Sequence, residues 1–178
     1  MASVHFLTAF PFLILSLALA STAVATAPLP PKRVEKPVDV VVEGTVFCQS
    51  CSDYGTWNLN KAKPIESAIV SVICKDHRNR VSFYKAFQTG KNGYFYAVLK
   101  GFRMSRSFLD HPLHACKVRL VSSPVPSCNL LTNVNYGLYG APLRYENKRL
   151  VGRNYQAVLY AAGPLAFRPG KCVPKAEP

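Results

Sequence analysis

Two cysteines stand three positions apart in VVVEGTVFCQSCSDYGTWN, residues 40–58. A C-x-x-C pair can be a redox centre, half of a zinc site or the anchor of two structural disulfides. A thioredoxin-like redox pair needs a helix start after its strand, whereas the turn-rich SDYGTWN follows here. A zinc ribbon needs a second close Cys/His pair, and the nearest substitute, DHPLH, contains a proline. The pattern therefore favours structural disulfides and predicts neither a metal nor a cofactor.

Six cysteines are present in the chain: Cys48, Cys51, Cys74, Cys116, Cys128 and Cys172. An even count in an oxidising compartment predicts three disulfides. Residues three apart on an extended strand point to opposite faces, so the first two cysteines should reach different partners. Many connectivities satisfy these conditions, and the residues alone do not choose among them.

The first residues indicate the compartment. A run from Phe6 to Ala20 is almost wholly apolar, and small residues ending in Ala-Val-Ala follow it. This pattern predicts a secretory signal peptide over 1–25, a Pro-rich basic arm over 26–37 and a β domain over 38–178. Because the apolar run is shorter than the roughly 20 residues of a membrane-spanning helix, we predict a secreted protein without a membrane span.

Candidate catalytic groups are few. A ribonuclease-like site would need two histidines and a lysine, and the spacing of His77, His111 and His114 does not favour their convergence. No G-x-S-x-G motif occurs, and three disulfides would leave no cysteine as a nucleophile. We therefore predict that the protein is not an enzyme.

Positive charge dominates the chain, with 22 Lys/Arg against 9 Asp/Glu and a formal net charge of +13. Such a charge indicates polyanionic partners. Arginine suits carboxylates because its planar fork donates two parallel hydrogen bonds, and the interleaved tyrosines can pack on sugar rings. We predict an acidic glycan as partner, although a solubilising surface is the alternative. The candidate glycan-binding residues are Lys75, Arg78, Arg80, Arg103, Arg106, Arg144, Lys148, Arg149 and Arg153.

Alternating apolar residues predict the elements that position these groups. Period-two patterns predict strands over 38–48, 68–75, 81–88, 93–100, 115–122, 155–161 and 165–168. The clearest is ACKVRLVS, in which Cys116, Val118 and Leu120 should face the core while Lys117 and Arg119 face outward. Many short strands separated by turns predict an all-β fold, either a sandwich or a closed barrel.

Turn residues predict the connections between these strands. Asn92-Gly93 is a hairpin signal between the third and fourth predicted strands. Long loops are predicted over 101–114 and 129–154, where prolines, asparagines and glycines concentrate. Only part of 58–66 has a helical apolar period.

The framework EGTVFCQSC, IVSVICKD, GYFYAVL and CKVRLVSSPVPSCN resembles the plant pollen Ole e I/extensin-like family. Within that family it is most similar to the Cys-containing C-terminal domain of chimeric arabinogalactan and proline-rich cell-wall proteins. The resemblance covers about Val38 to Pro174. It implies a small antiparallel β-barrel or sandwich stapled by three disulfides. The implied pairs are Cys48–Cys128, Cys51–Cys172 and Cys74–Cys116.

The resemblance also implies a function. The family is mostly non-enzymatic, secreted and associated with plant cell walls or pollen, and several members are allergens. From this we expect an extracellular, monomeric cell-wall protein that binds pectin or arabinogalactan glycans, and also other wall glycoproteins, with no nucleic-acid partner. Two alternatives remain open: a secreted ligand for a protein partner in growth or pollen development, and a structural wall protein cross-linked through its tyrosines.

Overall fold

The computed structural model describes residues 38–102, 111–153 and 155–172. The predicted signal peptide (1–25) and arm (26–37) lie outside these residues. Within them, no helix is long and apolar enough to cross a membrane. The elements in chain order are β1 (Asp39–Cys48), β2 (Lys63–Pro64), β3 (Ile69–Lys75), β4 (Val81–Gln88), β5 (Tyr94–Val98), α1 (Pro112–Ala115), β6 (Cys116–Ser122), β7 (Leu130–Leu131), β8 (Ala141–Pro142), β9 (Arg144–Gly152) and β10 (Tyr155–Arg168).

The strands form two sheets. In the six-stranded sheet, β1 pairs in parallel with β10, β2 and β5 pair with β1, and β7 and β9 pair with β10. The four-stranded sheet has the order β4-β3-β6-β8 and is antiparallel throughout. The predicted all-β fold is confirmed as a sandwich, but the central pair of the larger sheet is parallel where an antiparallel fold was expected.

Alternating valines from both sheets build the shared core. Val40, Val42 and Val46 of β1 meet Val70 and Val72 of β3, and each is at most 3% exposed. Burying one such side chain contributes about 1.5–3 kcal/mol before the cost of ordering the chain. The period-two pattern therefore sets which face of each strand turns toward the opposite sheet.

The outer face of the six-stranded sheet carries a second, smaller apolar cluster. Val41, Ala157 and Leu159 are buried there, and Tyr155 packs against them. The hydroxyl groups of Tyr155 and Tyr96 lie 3.5 Å apart. This hydrogen bond, together with burial, raises the pKa of Tyr155 to about 12. These two tyrosines therefore cover part of the outer face of this sheet.

Three disulfides cross-link the domain: one joins the end of β1 to the middle of the chain, one joins the N-terminal part to the C-terminal part, and one links β3 to β6. They are Cys48–Cys128, Cys51–Cys172 and Cys74–Cys116, the pairing that the family resemblance implies. The first two cysteines take separate partners, but for a different reason than strand alternation. Cys51 begins a 3-10 turn after β1 has ended, so the chain itself changes direction between them.

Two predicted connections are wrong. The Asn92-Gly93 turn does not join a hairpin, because β4 belongs to the four-stranded sheet and β5 pairs with β1 in the other sheet. Gly93 has φ +67° and its carbonyl oxygen accepts a hydrogen bond from the nitrogen of Val46 at 2.8 Å. A side chain at this position would collide with β1, so glycine is needed where the chain passes from one sheet to the other.

The predicted loop over 129–154 is also wrong, because it contains β9 together with β7 and β8. Strand β9 is an edge strand with mostly exposed residues, so no apolar alternation marks it. The segments predicted separately over 155–161 and 165–168 form one strand, β10. The helical period in 58–66 gives no helix; this segment holds the short strand β2.

Candidate binding cleft on the four-stranded sheet

Basic side chains project from the outer face of the four-stranded sheet. Cys116, Val118 and Leu120 of β6 are buried, whereas Lys117 and Arg119 alternate with them and are exposed. Residues that alternate along a strand point to opposite faces, so both cations stand on the side away from the core. The sheet thereby presents two positive charges on one strand.

The turn between β3 and β4 forms one rim of this surface. Asp76 accepts hydrogen bonds at 2.9 Å from the backbone nitrogens of Arg78 and Arg80, and the Arg80 guanidinium approaches its carboxylate to 2.7 Å. These bonds, those of Arg80 first, lower the pKa of Asp76 to about 2. The ordered turn places Asn79 beside Lys75, whose Nζ donates to Asn79 Oδ1 at 3.0 Å.

The opposite rim comes from α1 and from the loop before β8. His114 lies in the last turn of α1, which continues directly into β6. Arg119 Nε donates to the carbonyl oxygen of Leu138 at 3.1 Å and so holds the loop that carries Tyr139. Gly140 has φ +127°, and a Cβ there would lie 2.9 Å from Cδ of Lys117. Glycine therefore lets this loop lie close along the Lys117 side chain.

A cleft of about 450 Å³ lies between these rims. Its charged and aromatic lining residues are Lys75, Asp76, His77, His114, Lys117, Arg119 and Tyr139. The carboxylate of Asp76 is occupied by Arg80, whereas three cations and two imidazoles line the same space. Tyr139 is 73% exposed and offers an aromatic face beside them. This combination of groups suits a ligand that carries both negative charge and a sugar ring.

The structure distributes the predicted glycan-binding residues over two sheets. Lys75 lines the cleft, and Arg78 and Arg80 lie in the adjoining turn, where Arg80 is committed to Asp76. The β9 region of the six-stranded sheet holds Arg144, Lys148, Arg149 and Arg153. The remaining two, Arg103 and Arg106, lie outside the described residues.

The predicted glycan-binding set left out five residues that line the cleft: His77, His114, Lys117, Arg119 and Tyr139. The outward alternation in CKVRLVS was a usable signal for the two cations. The expectation that the histidines do not converge is wrong for two of the three, because the β3–β4 turn and α1 meet at one end of the sheet. The remaining histidine, His111, caps α1 through Nδ1. In the described part of the chain, no three His, Cys, Asp or Glu side chains are grouped to hold a metal.

Relatives among known proteins are plant proteins. Non-classical arabinogalactan protein 30 of Arabidopsis thaliana is 31% identical over 134 residues, which cover 73% of this chain and 53% of the relative. The pistil-specific extensin-like protein of Nicotiana tabacum is 34% identical over 105 residues, covering 58% and 22%. Proline-rich protein 1 of A. thaliana is 31% identical over 144 residues, covering 77% and 36%. The chain is a homologue of plant arabinogalactan, extensin-like and proline-rich proteins.

A solved structure shows that this homologue shares the fold of a pollen allergen. The crystal structure of the major plantain pollen allergen Pla l 1 matches with a TM-score of 0.50 and 20% identity, over 78% of this chain and 100% of that chain. The resemblance predicted from the cysteine framework is thereby confirmed. No protein-family model matches the sequence. The chain spans about half or less of the length of the three plant relatives.

Proposed function

We propose that this homologue of arabinogalactan and extensin-like proteins is a secreted, non-catalytic cell-wall protein that binds acidic polysaccharide, with demethylated pectin as its ligand. The observation that carries the proposal is the cleft in which Lys75, Lys117 and Arg119 surround one space beside the exposed ring of Tyr139. The plant relatives, which carry arabinogalactan and extensin-like names, support a wall or extracellular protein.

The cleft suits a uronic acid for a specific geometric reason. The hydrogen bond from Arg119 Nε to Leu138 fixes the guanidinium plane and leaves its terminal nitrogens as donors. A carboxylate takes two parallel hydrogen bonds from such a fork, and Lys117 on the same face adds a second charge. Tyr139 can pack against the sugar ring that bears the carboxylate. Methyl esterification removes the negative charge, so demethylated pectin should bind more tightly.

The test compares polygalacturonate with fully methyl-esterified pectin in a salt series. We expect the purified protein to bind polygalacturonate at low salt and to lose most of that binding as salt shortens the Debye length. The double variant Lys117→Gln/Arg119→Gln should bind about tenfold more weakly, which corresponds to about 1.4 kcal/mol. Because the binding is proposed to be non-catalytic, the polymer should be recovered at its original length.

A matched variant distinguishes the effect of the cleft residues from the effect of net charge. Lys148→Gln/Arg149→Gln also removes one lysine and one arginine charge, but from β9 of the other sheet. This control should change the affinity less than about twofold, since exposed charges outside the contact act only through screened attraction. Equal losses in both double variants, or binding that resists salt, would overturn the proposed cleft. Absence of binding to any wall glycan would instead favour a protein partner.

A second candidate function rests on exposed tyrosines. Tyr139 is 73% exposed and Tyr84 is 60% exposed, on the loop beside the cleft and on edge strand β4 respectively. Exposed phenols are available to oxidative coupling between chains, as in a structural wall protein. Treatment with peroxidase and hydrogen peroxide should then produce dityrosine fluorescence and dimers. The variant Tyr84→Phe/Tyr139→Phe should reduce both signals, and unchanged dimer formation would argue against coupling through these two rings.

A further inference from the structure

The end of the molecule that carries two disulfides holds a second pocket, separate in its lining from the cleft. It has a volume of about 250 Å³ and lies among the turn after β1, the loop after β7 and the end of β10. Gln49 is 2% exposed, and its Nε2 lies 2.9–3.1 Å from the carbonyl oxygens of Asp53, Thr56 and Asn58. The buried Gln49 amide thus holds the turn after β1 in place. Because this turn forms one wall, the pocket is preformed.

The aromatic wall of this pocket is held in position. Trp57 is 52% exposed, and the ring of Tyr136 meets it edge-on with centroids 5.0 Å apart. Tyr54 lies under the guanidinium of Arg168, 4.3 Å from ring centroid to Cζ. Tryptophan is usually buried, and a half-exposed indole beside a pocket is the arrangement of a binding surface rather than of a core.

The polar wall of the pocket is rich in hydrogen-bonding groups and poor in charge. Among the described residues that line the pocket, only Arg168 is charged, and its Nη1 already donates to the carbonyl oxygen of Pro169 at 3.2 Å. Asn133 also lines the pocket, and its Oδ1 is buried without a hydrogen-bond partner among the described residues. Because a buried acceptor without a partner is unfavourable, a donor that reaches this amide after a rotation of its side chain would be favoured.

We propose that the pocket beside Trp57 is a second carbohydrate site, which takes one neutral hexopyranosyl residue of a wall polysaccharide. The inference rests on the proposed wall-glycan function and adds a ligand of different charge. The apolar face of a pyranose packs on the indole, while its hydroxyl groups donate to and accept from the side-chain amide of Asn133. A proline-rich peptide is the competing occupant of an aromatic groove, but proline has no N–H to donate to the unpaired amide oxygen.

The single tryptophan makes this site directly observable. The full chain is titrated with β-1,4-galactotetraose and, separately, with cellotetraose, while the fluorescence of Trp57 is recorded. We expect a saturable blue shift with at least one tetrasaccharide that is unchanged when NaCl rises from about 0.05 to about 0.5 M, because stacking is not screened by salt. No shift with either tetrasaccharide, or a shift with a proline-rich peptide alone, would overturn the inference.

Variants assign the signal to the pocket. Asn133→Ala keeps the fluorescent group and should weaken tetrasaccharide binding about tenfold. Trp57→Ala removes the fluorescent group, so its tetrasaccharide binding is measured by calorimetry, and its affinity should fall by at least about tenfold. An unchanged circular dichroism spectrum would show that the fold is retained. The cleft variant Lys117→Gln/Arg119→Gln should keep the response of Trp57. Binding of polygalacturonate alone would contradict the second site and leave the proposed function supported. Binding of neutral tetrasaccharides alone would contradict the acidic cleft and support the second site.

Discussion

Arg119 donates a hydrogen bond from Nε to the carbonyl oxygen of Leu138 at 3.1 Å. This bond crosses from a strand of the four-stranded sheet to the loop that carries Tyr139, so one side chain supplies a charge and also positions an aromatic ring. Lysine has no planar fork and cannot reproduce both roles.

We therefore expect Arg119→Lys to weaken polygalacturonate binding about threefold and Arg119→Gln to weaken it further. The physical reason is that lysine keeps the charge but loses the paired hydrogen bonds and the tie to Leu138. Isothermal calorimetry at low salt measures the difference. Lys117→Arg is the control and should bind nearly as well as the wild type. Equal affinity of Arg119→Lys and the wild type would show that charge alone matters.

Gly44 marks a close approach within the six-stranded sheet. A Cβ at this position would lie 2.7 Å from Cζ of Phe95 and would also collide with the carbonyl oxygen of Ala162. Phe95 is 1% exposed and cannot move aside, so Gly44→Ala should lower the free energy of unfolding by about 3 kcal/mol. Urea unfolding measures this change.

The matched control for that substitution is Gly90→Ala, where the nearest atom would be the carbonyl oxygen of Tyr94 at 3.8 Å. This variant should change the free energy of unfolding by less than about 0.5 kcal/mol. Similar losses in the two variants would show that the close approach at Gly44 does not govern the effect.

The turn that carries Asp76 should respond to acid in a narrow range. Its pKa lies at about 2 in the folded protein, against an ordinary value of 3.8. Since the folded pKa is depressed, this carboxylate contributes stability that is present above about pH 4 and is lost as pH falls through about 2. An NMR titration of the Asp76 carboxyl carbon should give a midpoint near 2.

Arg80→Ala tests the cause of that depressed pKa. It removes the guanidinium contacts at 2.7 and 2.9 Å but keeps the backbone donors, so the Asp76 midpoint should rise part of the way toward 3.8. A wild-type midpoint at the ordinary value would contradict the hydrogen-bonded turn. An unchanged midpoint in Arg80→Ala would assign the whole effect to the backbone donors.

The disulfide between β3 and β6 should matter more for stability than the outer bridge Cys51–Cys172. Cys74 and Cys116 are 0% and 1% exposed, and their bridge closes 42 residues. The variant Cys74→Ala/Cys116→Ala should lower the free energy of unfolding by about 4 kcal/mol, because it relaxes the unfolded chain and also leaves a cavity. The matched variant Cys51→Ala/Cys172→Ala removes an outer bridge and should cost less. The reverse order in urea unfolding would show that loop length outweighs packing.

The sequence was informative where burial imposes a period. Strand β6 buries one face, so its apolar residues alternate with the outward pair Lys117 and Arg119, which can be recognised from the sequence alone. Strands β1 and β3 alternate only in part, because Val41 and Ser71 are also buried. Strand β9 was missed for the opposite reason. It is an edge strand whose residues are mostly exposed on both faces, so selection for burial leaves no pattern in RYENKRLVG.

The long strand β10 was split because Gly163-Pro164 usually marks a turn. The structure keeps the strand continuous by a bulge: the register with β1 shifts between Gly44 and Val46, and the proline without an N–H falls in the unpaired stretch. The cleft could not be predicted as a whole because it depends on which turn lies beside which strand. Only the fold brings His77 and His114 to the same cleft.

The parallel pairing of β1 with β10 also determines the order in which the chain can fold. Asp39 aligns with Ala157, so the first strand lacks its central neighbour until nearly all of the domain has been synthesised. Strands β3, β4 and β6 are closer in sequence and can associate earlier. During synthesis Cys48 and Cys51 are exposed as thiols well before Cys128 and Cys172 emerge. A released fragment that ends at residue 150 should therefore form the Cys74–Cys116 bridge but keep Cys51 reactive, because its partner Cys172 is absent.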